Sequence, residues 1–180
     1  MITNPQKQDI PKLKAMWKEI FDDSKNLIDK FFDMLFEPQN TLVWLEKDAI
    51  VSMLYMILFE QGVYLYALGT KYEYRNRGIM SQLINYACDL QKNTGTKGLF
   101  LVPSDIYMDK YYERFGFEKI ICGELKRNDS GLNAYESRIK EYVKFIELHE
   151  NDNMKFVPEY FMVKDFGGFN INDICGYIPF

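Results

Sequence analysis

The chain begins with two segments in which apolar residues recur at helical spacing. Asp9 and Pro11 are start signals for the first helix, Ser24 favours the first position of the second, and Pro38 ends it. The apolar positions are Ile10, Leu13, Trp17, Ile20 and Phe21 in the first segment, and Leu27, Ile28, Phe31, Phe32 and Leu35 in the second. The pattern predicts two amphipathic helices.

From Thr41 the pattern changes to that of strands. The runs 41–46, 49–59 and 62–68 are separated by Lys47-Asp48 and Gln61-Gly62, which are short enough for antiparallel hairpins. The middle run is apolar at nearly every position, as is typical of a strand buried on both faces. We therefore expect a three-stranded meander after the helices.

Helices and strands then alternate along the chain. A helix follows the basic turn at 71–80, 98–102 reads as a short buried strand, a helix over 108–115 ends at Gly116, and 117–125 reads as a further strand. The order from residue 41 is β-β-β-α-β-α-β, which predicts a mixed α/β fold with helices covering a mixed central sheet. Strands 62–68 and 98–102 are joined through a helix, so we expect them to be parallel.

The C-terminal part is rich in aromatic residues. Apolar positions from Tyr135 to Ile146 predict a helix, and seven aromatic residues fall between Phe156 and Phe180. Because seven aromatic side chains cannot all be exposed to water, we expect this tail to pack on its own domain or on a partner. Its pattern favours a strand that completes the sheet edge or packs across a homodimer, and a chain that continues into a longer protein is the alternative.

Composition and charge exclude several classes of function. Apolar residues make up 47% of the 180 residues, and Lys plus Arg total 22 against 26 Asp plus Glu, a net charge of −4. This acidic balance argues against nucleic-acid binding and against an anionic membrane surface. The longest apolar run is too short to span a bilayer and the N-terminus lacks a secretory signal, so we expect a cytoplasmic protein.

The sequence gives little support for a metal site or for a catalytic nucleophile. The three cysteines, Cys88, Cys122 and Cys175, are far apart, and an odd count suits reduced thiols better than a disulfide framework. With His149 as the one histidine, neither a His-Cys metal cluster nor a Ser-His-Asp triad is expected. We predict no metal site.

One loop between a strand and a helix suits an anion. It contains Arg75, Arg77 and Gly78, and a helix N-terminus offers N–H groups that lack acceptors within the helix. Glycine lets the backbone approach a phosphate closely. Taken alone, such a turn is more often a solvated loop, and the chain has neither a GxxxxGK[ST] nor a GxGxxG motif.

Two motifs together resemble those of the GNAT N-acetyltransferase family. The segment Arg75-Asn76-Arg77-Gly78-Ile79-Met80 is similar to the Q/R-x-x-G-x-G/A loop that binds the coenzyme A pyrophosphate, and Tyr112-Glu113-Arg114-Phe115-Gly116-Phe117 is similar to the Y-E-x-x-G-F segment. The resemblance runs from about Thr41 to Phe117. It implies a GNAT-like acyl-CoA N-acyltransferase fold in which acetyl-CoA binds between two splayed parallel strands.

The resemblance also implies roles for individual residues. The phosphate loop comprises Arg75, Asn76, Arg77, Gly78, Ile79, Met80 and Ser81; Leu68, Gly69 and Thr70 match positions whose backbone pairs with the pantetheine arm; and Tyr112 matches a tyrosine used as general acid. Two positions depart from the family pattern. Met80 replaces a Gly or Ala and narrows the room near the pyrophosphate, and Asp105 replaces an Asn that contacts pantetheine.

Acetyl transfer to an amine requires a group that removes the amine proton and a group that donates a proton to the thiolate. An amine with a pKa of about 10.4 must lose a proton before it attacks a thioester, at a cost of roughly 4 to 5 kcal/mol at pH 7. Glu60, Glu46, Asp105 and a water relay remain open as the base. A phenol is still protonated near pH 7, so Tyr112 suits the role of donor to the departing thiolate.

We therefore predict an acetyl-CoA-dependent N-acetyltransferase that acts on a small-molecule or peptide amine by direct attack in a ternary complex. Residues 1–126 form the predicted acetyltransferase domain, and residues 127–180 a C-terminal helix and strand extension. Two alternatives stay open: a CoA-binding or regulatory module without catalysis, and an interaction protein whose working surface is the aromatic C-terminus.

Overall fold

The computed structural model describes residues 1–121, 125–127, 129–149, 159–174 and 176–179. The α-helices of these residues are α1 (Ile10–Phe21), α2 (Lys25–Met34), α3 (Ile79–Asn93), α4 (Asp109–Glu113) and α5 (Ala134–His149). The strands are β1 (Ile2–Thr3), β2 (Thr41–Glu46), β3 (Ala49–Leu58), β4 (Val63–Thr70), β5 (Gly98–Leu101), β6 (Glu118–Ile121) and β7 (Tyr160–Asp165).

The strands form a mixed sheet in the order β1-β2-β3-β4-β5-β7-β6. Strands β4 and β5 are parallel, with Val63 opposite Leu99, as the helical connection between them predicts. Strand β1 pairs antiparallel with β2, and β2 with β3. The mixed α/β fold class is thus confirmed, together with the predicted order of elements from residue 41 onward. The two-residue strand β1 was not predicted.

The chain divides into two compact units, each with its own aromatic core. The N-terminal unit comprises Met1–Ile57 and Leu65–Leu90, and the C-terminal unit comprises Leu58–Tyr64 and Gln91–Phe180. This division differs from the boundary at 126/127 that the sequence suggests, and that boundary stays a prediction.

Aromatic side chains build the core of the N-terminal unit. Trp17 on α1 is 1% exposed, and its ring centroid lies 4.7 Å from that of Phe31 and 5.3 Å from that of Tyr55. Ser24 caps α2 by accepting a hydrogen bond from the Leu27 N–H, as its sequence position predicts. Strand β3 is buried along almost its whole length, which explains its nearly continuous apolar run.

Phe100 on β5 lies at the centre of the aromatic core of the C-terminal unit. Its ring is stacked with those of Tyr64 and Phe169, at centroid distances of 5.1 and 5.7 Å. Two glycines leave room for Phe169. A Cβ at Gly62 would lie 2.3 Å from the Phe169 ring, and one at Gly98 would lie 2.7 Å from Phe169 Cγ.

The C-terminal strand is an internal strand of the sheet. Strand β7 pairs antiparallel with both β5 and β6, so the expected position at the sheet edge is wrong and β6 forms the edge instead. Tyr160, Phe161, Phe169 and Tyr177 are buried, whereas Phe156 and Phe180 lie outside the described residues. The burial of these four rings weighs against the tail as an exposed aromatic working surface. The predicted strand at 117–125 is described to Ile121 only.

None of the helices in the described parts of the chain is both long and apolar enough to cross a membrane. Within the same parts, no group of three or more His, Cys, Asp or Glu side chains is arranged to hold a metal ion. Cys88 is buried and forms no disulfide among the described residues, and Cys122 and Cys175 lie outside them.

Candidate functional site

The end of β4 carries three of the predicted site residues: Leu68, Gly69 and Thr70. The Ser52 hydroxyl donates a hydrogen bond to the Gly69 carbonyl at 3.0 Å, and its oxygen lies 2.8 Å from Thr70 Oγ1. A Cβ at Gly69 would lie 3.0 Å from Ile20 Cδ1, so α1 comes close to the backbone at this position. Ser52 lies on β3, and its hydroxyl therefore holds the end of β4 in place.

One residue within β4, before these positions, has a left-handed backbone conformation. Ala67 has φ = 47°, a conformation that non-glycine residues seldom adopt and that costs on the order of 1 kcal/mol or more. Such a residue turns the strand locally and re-aims the backbone groups that follow. Sequence reasoning missed it, because alanine at this position gives no turn signal.

The predicted phosphate loop leads directly into α3. A 3-10 helix at Tyr72–Tyr74 opens it, and Asn76 and Gly78 have φ values of 60° and 72°. A Cβ placed on Gly78 would have open space around it to a distance of 4 Å, so the backbone conformation, and not contact with neighbouring protein atoms, requires glycine here. The left-handed residues end the loop and let the backbone enter the helix.

Helix α3 begins with Ile79, Met80 and Ser81, three of the residues predicted for the phosphate loop. Its first helical hydrogen bond runs from the Gln82 N–H to the Gly78 carbonyl at 3.2 Å. The first N–H groups of an α-helix have no acceptor within it and lie at the positive end of its dipole. Ile79 is buried, which anchors the turn, while Met80 is half-buried. This end of α3 has the geometry of an anion site.

Both loop arginines are held by neighbours in the N-terminal unit. Arg75 donates from Nε to the Thr70 carbonyl at 3.0 Å. Arg77 donates from Nη2 to both carboxylate oxygens of Glu46, at 2.9 and 3.0 Å. Each guanidinium also lies over a tyrosine ring, Arg75 over Tyr72 and Arg77 over Tyr74. Both arginines remain exposed, so their charges are presented to solvent in fixed positions.

The partner of Arg77 is one of the residues considered as the base. Both oxygens of Glu46 accept hydrogen bonds from the guanidinium, which argues against Glu46 as the group that takes the amine proton. The sequence made Glu46 a candidate base. It did not indicate that Glu46 pairs with Arg77, because the two residues are 31 positions apart.

Tyr112 lies in the C-terminal unit on the short helix α4. Its side chain is 6% exposed, and burial, reinforced by the neighbouring Tyr111, raises the pKa of its phenol well above the ordinary value. The Tyr111 and Tyr112 ring centroids are 5.3 Å apart. The phenol is therefore protonated throughout the neutral range, which is the state that a proton donor requires.

The other two candidate bases also lie in the C-terminal unit. Asp105 is exposed, and its Oδ1 accepts the Tyr107 N–H at 2.8 Å, so its carboxylate caps the turn that precedes α4. Glu60 is exposed in the turn before β4, and its backbone N–H donates to Glu136 Oε1 at 3.0 Å.

A match to a family model identifies the family to which the fold and the motifs point. The acetyltransferase (GNAT) domain model matches residues 1–120, two thirds of the chain. The chain belongs to the GNAT acetyltransferase family. The resemblance seen in the sequence is thus confirmed, and the helical N-terminus is part of the matched GNAT domain.

Solved structures agree on the fold. The ribosomal-protein-S18-alanine N-acetyltransferase from Escherichia coli has a TM-score of 0.63 and 13% identity, over 96% of this chain and 97% of that chain. A GNAT family acetyltransferase from Brucella melitensis in complex with acetyl-CoA has a TM-score of 0.53 and 18% identity, over 66% of this chain and 82% of that chain.

A third structure, the PaiA N-acetyltransferase from Thermoplasma acidophilum in complex with coenzyme A, has a TM-score of 0.55 and 14% identity, over 68% of this chain and 92% of that chain. At these identities the likeness extends to the GNAT fold alone. A comparison with curated proteins finds no match. The roles of the individual site residues therefore stay predictions.

Proposed function

We propose that this GNAT protein transfers the acetyl group of acetyl-CoA to a primary amine. The observation that carries the proposal is the turn at 75–81, in which two exposed arginines, two left-handed residues and the start of α3 combine. Phosphates favour such a helix start because backbone N–H groups and the helix dipole both attract negative charge. The coenzyme A and acetyl-CoA complexes of the T. acidophilum and B. melitensis enzymes support the choice of cosubstrate.

The residues present fit the cosubstrate. Apart from its two chain neighbours, no protein atom lies within 4 Å of a Cβ built on Gly78, so a phosphate group can approach the backbone there. We assign the pyrophosphate to Arg75, Asn76, Arg77, Gly78, Ile79, Met80 and Ser81, and the pantetheine arm to the backbone of Leu68, Gly69 and Thr70. Asp105 is a weaker candidate for a pantetheine contact, because its carboxylate already accepts the Tyr107 N–H.

The proposed reaction is a direct attack in a ternary complex. The neutral amine nitrogen attacks the thioester carbonyl carbon, a C–N bond forms, and the C–S bond breaks as the thiolate leaves. Tyr112 Oη gives its proton to the thiolate, and the new amide nitrogen gives up one proton. The raised pKa of Tyr112 keeps the phenol protonated near pH 7. With Glu46 disfavoured by its pairing with Arg77, a water relay, Asp105 and Glu60 remain for the amine proton.

The acceptor belongs to the small-molecule or peptide amines. The net charge of −4 mildly favours a cationic acceptor, because an acidic surface attracts ammonium groups. We place the reaction in the cytoplasm and expect neither nucleic acid nor membrane as a partner. A homodimer through the C-terminal region remains an expectation from the sequence.

The test is an amine panel assayed for acetylated product by mass spectrometry and for released thiol. We expect at least one primary amine to be acetylated by the wild-type protein. Tyr112→Phe removes the phenolic proton and should lower kcat by about 10²-fold or more, with little change in acetyl-CoA affinity. Tyr111→Phe is the matched control and should retain turnover.

Unchanged turnover in Tyr112→Phe would remove Tyr112 as the acid. If acetyl-CoA binds and no amine in the panel is acetylated, the coenzyme-A-binding module without catalysis becomes the better account.

A further inference from the structure

Helix α4, which carries the proposed general acid Tyr112, is very short. It has five residues, Asp109–Glu113, and isolated helices shorter than about 12 residues are only marginally stable in water. The orientation of Tyr112 therefore depends on the contacts that other elements of the C-terminal unit make with this helix.

Strand β7 supplies two of these contacts. Side chains alternate between the two faces of a strand, so Tyr160 and Lys164, four residues apart, lie on the same face of β7. The backbone of this internal strand pairs with β5 on one side and with β6 on the other. Both side chains therefore extend from a fixed support.

Tyr160 holds the beginning of α4. Its hydroxyl donates a hydrogen bond to Oδ1 of Asp109, the first residue of the helix, at 2.6 Å. Lys119 Nζ on β6 donates to the other oxygen, Oδ2, at 3.4 Å, and lies 3.6 Å from the centre of the Tyr160 ring. Tyr160 is 9% exposed, and burial together with the Asp109 carboxylate raises its pKa to about 12. The Tyr160 hydroxyl therefore stays protonated and remains the donor.

Lys164 holds the other end of the helix. Its ammonium donates to the carbonyl of Phe115, two residues beyond α4. The backbone N–H groups of Phe115 and Phe117 donate to the Tyr112 carbonyl, at 2.9 and 3.4 Å. The turn after α4 is thus closed on Tyr112 and tied to β7.

The contact at Asp109 bears directly on the direction of the Tyr112 side chain. Residues three apart on a helix are neighbours on its surface, so a rotation of α4 that broke the hydrogen bond from Tyr160 to Asp109 would also turn Tyr112. A proton donor must stay within hydrogen-bond reach of the atom that it protonates. A displacement of about 1 Å can cost up to about 10²-fold in rate.

We propose that Tyr160 and Lys164 are positioning residues that hold α4 at both ends and so fix the Tyr112 phenol for proton transfer to the departing thiolate. The inference rests on the proposed function, in which Tyr112 is the general acid. Both residues act through α4 and take no part in the proton transfer itself.

The experiment is a double-mutant cycle, assayed with an amine that the panel identifies. Tyr160→Phe removes one hydroxyl and keeps the ring, so it should lower kcat by about tenfold and leave the KM for acetyl-CoA unchanged. In a Tyr112→Phe background the same change should have no further effect, because no donor is left to position. A merely structural contact would lower kcat by the same factor in both backgrounds.

Tyr177→Phe is the matched control. Tyr177 also donates its hydroxyl to an aspartate of the C-terminal unit, Asp129, so the variant removes the same kind of hydrogen bond away from α4. It should retain the wild-type kcat.

Variants of the other partners extend the cycle. Asp109→Asn keeps an oxygen that accepts from Tyr160 and should retain most of the activity, whereas Asp109→Ala should match Tyr160→Phe. Lys164→Met keeps most of the side-chain volume, and its loss of kcat should likewise disappear in the Tyr112→Phe background.

Amide hydrogen exchange measures the same contacts without turnover. Tyr160→Phe and Lys164→Met should each speed exchange of the Phe115 and Phe117 amides, which donate to the Tyr112 carbonyl, by about fivefold or more. Tyr177→Phe should leave the exchange of these two amides unchanged.

Unchanged kcat or unchanged amide exchange in Tyr160→Phe overturns the proposal, and so does an equal loss of kcat in both backgrounds. The same criteria apply to Lys164→Met. Failure of the proposed function has a different signature, because Tyr112→Phe alone would then turn over as the wild type does, or the wild type would acetylate no amine. No donor would then require positioning, and the inference would fall with the proposed function.

Discussion

Arg77 connects two parts of the N-terminal unit. Its Nη2 atom bonds to Glu46 on β2, and its guanidinium lies over the Tyr74 ring at 5.2 Å. A guanidinium has five N–H donors in a planar fork, so one side can contact Glu46 while another faces a phosphate. We infer that Glu46 is a positioning residue that holds Arg77 at the loop.

Replacing Arg77 tests the loop directly. Arg77→Gln removes a charge-assisted hydrogen bond to phosphate, worth about 1.5–3 kcal/mol, so acetyl-CoA affinity should fall roughly 10- to 100-fold. Isothermal titration calorimetry measures the acetyl-CoA affinity. Arg138→Gln on α5 is the control and should bind as the wild type does. Equal affinity of Arg77→Gln and wild type would exclude the loop as the phosphate site.

The sequence predicted some features of the candidate site and could not predict others. Gly78 and the start of α3 follow from local rules, since a glycine turn before a helical pattern carries its own signal. The pairing of Arg77 with Glu46 and the hydrogen bond from Ser52 to Gly69 join residues distant in sequence, and only the sheet brings them together. Ala67 lacks a residue-type signal for its positive φ.

At the scale of elements, Phe169 requires glycine at two positions, Gly98 on β5 and Gly62 just before β4. A Cβ at Gly62 would meet the outer edge of the Phe169 ring. A Cβ at Gly98 would meet Phe169 and also the Lys164 carbonyl oxygen at 2.9 Å. The first contact can be relieved by a smaller side chain, whereas the second involves backbone that cannot move away.

This difference gives a double-mutant prediction. Gly62→Ala and Gly98→Ala should each lower the free energy of unfolding by about 1–3 kcal/mol, because overpacking a filled core is costly. In a Phe169→Leu background the effect of Gly62→Ala should become smaller, while that of Gly98→Ala should persist. Urea denaturation measures the free energy of unfolding of each variant. Equal effects of Gly62→Ala in both backgrounds would contradict the packing described here.

Element types were easier to predict than element neighbours. The runs at 41–46 and 49–58 are strands with nearly the predicted bounds, because alternation and apolar runs are local signals. The place of β7 between β5 and β6 was not predictable, since a strand's own pattern does not specify its partners. Pairing over such a sequence distance is decided by packing of the whole unit.

At the scale of the whole molecule, the central claim is that this GNAT protein binds acetyl-CoA through its phosphate loop. Family membership rests on the match over residues 1–120, while the acceptor and the residue roles are proposals. A cosubstrate that binds the folded chain and not the unfolded chain must stabilise it by mass action.

A thermal melt with and without acetyl-CoA tests this claim most directly. At about one hundred times the Kd, binding should add roughly 2.7 kcal/mol and raise the midpoint by about 5 to 11 °C. Desulfo-CoA, which retains the phosphates, should reproduce most of the shift, and adenosine should not. An unchanged midpoint with acetyl-CoA, or an equal shift with adenosine, would contradict the account.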